Sequence, residues 1–140
     1  MLTNGVLLLA VGLFAVAEDV GPKGLQGKWT VTAGEEGGKP LAAADLKEAT
    51  ATIQGNRLTV RKAGRDEEMT FTTRDTGNKG EIDFTPSAGP DKGKTCKGIY
   101  SLEGDTLRIA IAPPGEERPK QFTTAKDSKQ MAWTLKRAGA

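Results

Sequence analysis

The chain has no histidine and one cysteine, Cys96, and each scarcity removes a class of chemistry. Without imidazole there is no Ser-His-Asp or Cys-His nucleophile system, no His-ligated zinc, and no side chain whose ordinary titration falls near neutral pH. A single thiol rules out an intrachain disulfide and a thiolate metal cluster. Its position deep in the chain rules out a lipid-accepting cysteine just behind a signal segment. A dominant charge is missing as well: Lys+Arg 20 against Asp+Glu 18 leaves a formal net charge of +2. Acids and bases alternate through Arg61-Lys62-Ala63-Gly64-Arg65-Asp66-Glu67-Glu68, whereas nucleic-acid binders gather Lys and Arg on one face. Nucleic acid is therefore not an expected partner.

Long apolar runs are also absent, with one exception. Val6-Leu7-Leu8-Leu9-Ala10-Val11-Gly12-Leu13-Phe14-Ala15-Val16-Ala17 carries no charge and is followed at once by Glu18-Asp19. It is too short to span a bilayer, and Ala15-Val16-Ala17 places small residues at −3 and −1 of a cleavage site before Glu18. Residues 1–17 therefore read as a signal peptide, although Met1-Leu2-Thr3-Asn4 lacks the usual Lys or Arg. Residues 18–140 then form the mature domain, exported to the periplasm or the extracellular space, with no membrane span. A chain of 140 residues has room for one domain around one core.

Beyond the signal, apolar residues recur at every second position in short runs separated by Gly, Asn, Asp and Pro, the pattern of antiparallel strands with one buried face. The runs begin with Leu25, Gly27, Trp29 and Val31, ending at Gly34. Residues 50–54 and 57–62 flank Gly55-Asn56 as a hairpin. Further strands cover 67–74, 81–85 and 96–102, and Gly104-Asp105 turns the last of these into a strand carrying Leu107, Ile109 and Ile111. Residues 130–137 bury Met131, Trp133 and Leu135. Only 40–49 looks helical, with Pro40 at its start and about two turns expected. Some eight strands with one short helix after the first predict an all-β fold, a single antiparallel up-and-down barrel that leaves few exposed edges.

Leu25-Gln26-Gly27-Lys28-Trp29 contains a Gly-x-Trp motif that resembles the first-strand signature of lipocalins and related barrels. That resemblance implies a structural role: Trp29 packs at the closed end beside Gly27, and Arg137 from the last strand covers the indole. A wider set of segments is similar to an uncharacterised lipocalin-like domain family abundant in planctomycete bacteria: Gly38-Lys39-Pro40-Leu41, Thr85-Pro86, Gly89-Pro90-Asp91-Lys92-Gly93-Lys94-Thr95, Gly98-Ile99-Tyr100-Ser101-Leu102, Gly104-Asp105-Thr106-Leu107-Arg108 and Arg118-Pro119-Lys120-Gln121-Phe122. The resemblance implies fold and export and transfers no catalytic residue. Avidin-like barrels also open with Gly-Lys-Trp-Thr, but Val31, Thr32 and Ala33 stand where polar biotin contacts would follow.

No motif points to catalysis. Gly89 to Thr95 approaches a phosphate loop, but its glycine spacing is one residue short and a strand rather than a helix follows, so no helix N-terminus is there to hold phosphate. Asp75 and Asp91 lack the alternating acids of a calcium loop. The pairs Glu35-Glu36, Glu67-Glu68 and Glu116-Glu117 read as surface charge, and Cys96 reads as a small core residue with no base to activate it. A non-enzymatic monomer without a cofactor or metal is expected. An eight-strand barrel either fills with side chains or holds one small ligand. The first alternative to follow from this is a binding module for a small hydrophobic or amphipathic molecule, its interior lined by Met69, Phe71, Tyr100 and Trp133, with Tyr100 fixing a polar end. The second is a structural or protein-interaction domain with a filled core, its working surface centred on the loop 86–94.

Overall fold

The computed structural model describes residues 22–62, 64–74 and 77–138, so the signal peptide expected at 1–17 and the turn residue Asp75 lie outside the described residues. A short 3-10 turn, Lys23–Leu25, leads into β1 (Gly27–Glu36), β2 (Lys39–Pro40), α1 (Ala43–Leu46), β3 (Thr50–Gln54), β4 (Arg57–Lys62) and β5 (Arg65–Thr73). The chain continues through β6 (Lys79–Pro86), β7 (Cys96–Glu103), β8 (Thr106–Ile111) and β9 (Met131–Arg137). From β3 to β9 each strand pairs antiparallel with the next, while β1 pairs with both β3 and β9. Eight strands thus close into an up-and-down barrel, and β2 is a two-residue flap on the far half of β1.

Alternation decides which side chains enter the barrel. In β3 to β5, Ala51, Ile53, Leu58, Val60, Met69 and Phe71 are buried while their neighbours face solvent. They pack with Trp29, Val31, Ile82, Phe84, Cys96, Tyr100, Leu107, Ile109, Ile111, Trp133 and Leu135 as one cluster, with Leu102 and Met131 partly buried at its margins. In β1 the pattern changes phase. Val31 faces Leu135 and Ala33 faces Thr134, so Thr32 is an extra residue, and its hydroxyl donates to the Thr134 carbonyl at 3.2 Å. Such a bulge moves the inward positions from odd to even numbers. Gly34, paired with Trp133, therefore points into the barrel, where an added Cβ would sit 2.7 Å from Leu41 and 3.0 Å from Trp133.

The helix is shorter than the composition of 40–49 suggests. Pro40 pairs with Glu35 as part of β2, and only Ala43–Leu46 turns helical. Proline fits the edge of a two-stranded flap because no neighbour needs its missing N–H. Helix propensity there is overridden by two contacts: the Leu41 N–H donates to the Gly34 carbonyl at 2.9 Å, and Leu41 and Leu46 pack against the core.

The two ends of the barrel are built differently. At one end the connections are short: Gly55-Asn56, residues 74–78, and Gly104-Asp105. At the other lie the β2–α1 segment and the longer loops 87–95 and 112–130.

Candidate functional site

At the end with short turns the interior is sealed. Trp29 is fully buried and donates its indole N–H to the Leu25 carbonyl at 3.0 Å. The Arg137 guanidinium lies 4.3 Å from the indole centroid, donates to the carbonyls of Gln26 and Gly24 at 2.9 and 2.7 Å, and approaches Asp105 at 3.5 Å. A cation on an indole contributes roughly 0.5–2 kcal/mol. Gly27 has φ +119°, and a Cβ there would come within 3.3 Å of the Arg137 guanidinium, so glycine serves both the backbone and the close approach. Beside this plug, Tyr100 donates its hydroxyl to the Gly77 carbonyl at 2.8 Å. That bond belongs to the sealed end and leaves the ring of Tyr100 facing packed neighbours.

The opposite end opens into a cleft of about 480 Å³, inside the roughly 300–1,000 Å³ span of small-molecule sites. Its apolar floor is Met69, Phe84, Cys96, Ile111, Met131 and Trp133. The rim carries Arg65 and Glu67 from β5, Asp91 from the loop 87–95, and Lys129 before β9. Asp66 and Glu68 also border the cleft, but they are engaged by Arg61 at 2.7 Å and Arg57 at 3.2 Å. Among the described residues Arg65, Glu67, Asp91 and Lys129 make no ion pair, so the rim offers both signs of charge above an apolar floor.

Of the interior residues expected to line a site, Met69 and Trp133 reach this cleft and Phe71 and Tyr100 do not. Phe71 lies one layer deeper, its ring 6.2 Å from that of Phe84. Alternation alone did not reveal Phe84, Cys96, Ile111 and Met131 as lining residues. The usable signal was proximity to the long loops: Cys96, Ile111 and Met131 are the inward residues next to 87–95 or 112–130, and Phe84 lies one inward position before the end of β6. The Cys96 thiol is pushed up from its ordinary range, first by burial and then by the nearby Asp91 carboxylate. It is therefore an uncharged part of the floor at neutral pH, suited to packing and poorly suited to attack.

One wall of the cleft belongs to the loop 112–130, through Ala112, Pro113, Pro114 and Lys129. That loop is tied down twice. Arg118, with a side chain only 17% exposed, donates to Asp83 at 2.7 Å and to the Gly98 carbonyl at 2.8 Å, and stands 3.6 Å from Glu81. Farther along, the Thr124 N–H and hydroxyl donate to Glu35 at 2.6 and 2.9 Å, and the Asp127 N–H donates to the Gly37 carbonyl at 3.0 Å. These anchors tie the loop to β6–β7 on one side and to β1 on the other. Ala110 and Ala132, cross-strand partners that point outward on β8 and β9, are buried.

A shallower depression of about 380 Å³ on the outer face of β1, β3 and β4 is bordered by Lys28, Thr52, Thr59 and Arg61. Among the described residues no group of three or more His, Cys, Asp or Glu side chains could hold a metal ion. The loop Gly89 to Thr95 joins two strands, and no helix opens behind it. Among the described residues no helix is long and apolar enough to cross a membrane. The architecture is consistent with a lipocalin-like barrel. No family model, curated protein or solved structure matches the chain.

Proposed function

We propose that this protein binds a small apolar or amphipathic molecule in the cleft at the open end of the barrel, without catalysing its conversion. The observation that carries this reading is the pairing of an apolar floor with an unpaired charged rim in one concavity. Burial of apolar ligand surface against that floor contributes roughly 25 cal/mol per Å², and a rim charge orients a polar end. The position of Tyr100 at the sealed end moves that orienting role to Arg65, Glu67, Asp91 or Lys129. The protein acts after export, as a monomer and away from nucleic acid, and it belongs to the lipocalin-like family that its Gly-x-Trp and loop motifs resemble.

A second reading, a structural or interaction domain with a filled core, draws support from the packed layer beneath the cleft and from the exposed loop 87–95. Native mass spectrometry of protein purified from its own host separates the two. Binding predicts a co-purifying small molecule that is released on unfolding and lost when Trp133 is replaced by alanine. A mass equal to that of the bare polypeptide, together with no change in tryptophan emission on adding apolar probes, would count against binding and favour the filled-core reading.

A further inference from the structure

The depth of the cleft and the chemistry of its floor restrict the shape of what can fill it. Beneath the floor the barrel axis is occupied: Trp29, Leu58, Tyr100, Leu107 and Leu135 are at most 1% exposed, and none of them lines the cleft. A chain-shaped ligand buries its length by running down a barrel axis, and this axis is closed. An occupant must lie across the mouth, so a broad and short body buries more surface here than a long thin one.

The floor has an unusual makeup for a chain poor in sulfur. Met69 on β5, Cys96 on β7 and Met131 on β9 are the only sulfur-bearing side chains among the described residues, and all three line this cleft with the rings of Phe84 and Trp133. Thioether sulfur and aromatic rings favour contact with a π system over contact with a saturated chain, and methionine's rotatable bonds let it settle on a flat outline. The thiol between them is uncharged at neutral pH, so the floor presents no ion to an apolar ring.

We propose that the cleft selects compact aromatic amphiphiles, a flat ring system with one polar group at its edge, over acyl-chain amphiphiles of the same size. The inference rests on the open-end cleft being a ligand site. Ring faces lie against Met69, Met131 and Trp133, and the polar group reaches the rim, where Arg65 and Lys129 meet an acid and Glu67 and Asp91 meet a base.

The test uses the full chain labelled with ¹³C at the methionine methyls and titrated in parallel with naphthalene-1-sulfonate and dodecanoate. These two anions have the same number of non-hydrogen atoms. The naphthalene compound is expected to bind at least about tenfold tighter, and its ring current shifts the Met69 and Met131 methyl resonances together. Replacing both methionines by leucine conserves volume, and with binding read by tryptophan emission it is expected to weaken naphthalene-1-sulfonate more than dodecanoate, narrowing the preference between them. Equal or tighter binding of dodecanoate with the same two methyls perturbed overturns the aromatic preference and leaves the cleft as a ligand site. Failure of both compounds to move either methyl overturns this inference and the binding reading together.

Discussion

The two ends of the barrel hold one tryptophan each, and the contrast between Trp29 and Trp133 shows how a single sheet divides its labour. Trp29 is wholly enclosed, its N–H is satisfied by a backbone carbonyl, and an arginine covers its face. Among the described residues no polar group pairs with the Trp133 indole, which stands beside Gly34 at the border of an open cleft. The same residue type on neighbouring strands thus serves as a keystone at one end and as a wall at the other. The difference comes from the connections. Two-residue turns and a folded-back N-terminal segment close over Trp29, while loops 87–95 and 112–130 stand apart above Trp133.

The largest effect should come from the sealed end. Trp29→Ala removes the largest of the fully buried side chains and leaves the Arg137 guanidinium over a void, and it should cost about 3–5 kcal/mol by chemical denaturation. Trp133→Ala borders existing space, so its cost should be clearly smaller. Equal losses at the two positions would mean that the ends do not differ as described. Arg118→Ala should come next, at about 2 kcal/mol, because it strips charged donors from Asp83 and two strand carbonyls. Its signature should be local: hydrogen exchange should rise across 112–130 while β3 and β4 stay protected.

The smallest effect concerns pH. The folded Cys96 thiol titrates above its unfolded counterpart. Its contribution to stability is therefore complete below the ordinary thiol range and is lost as pH rises through the folded value. Cys96→Ala should flatten that alkaline decline, and iodoacetamide should modify the native thiol more slowly than a free thiol at neutral pH. Fast native alkylation would place Cys96 in a more open and more polar setting than the floor of a cleft.

Strand positions were legible in the sequence because a half-buried strand writes its orientation into every second residue. The runs around Ile53, Leu58, Phe71 and Leu107 fall in strands with the expected face inward. Depth along the barrel is a different coordinate, and alternation does not encode it. Tyr100 and Cys96 share one face of β7, yet one lies near the short Gly104-Asp105 turn and the other abuts the loop 87–95, so they belong to opposite ends. The phase change at Thr32 was hidden for a related reason: Thr32, Ala33 and Gly34 are small or polar, and no large apolar residue marks which of them turns inward. The anchoring of 112–130 was hidden because Arg118 meets Asp83 and Gly98 only after the sheet has closed.

The surplus residue in β1 lets one strand obey two incompatible demands. Before it, the large side chain of Trp29 fills space; after it, the missing side chain of Gly34 leaves room for Leu41 beside Trp133. Without the bulge, strict alternation of the same residues would set Thr32 opposite Thr134 and bring Ala33 to the position now held by glycine. The width of the entrance is thereby governed by an insertion in the backbone, a setting that changes in whole-residue steps and cannot be tuned gradually by exchanging side chains.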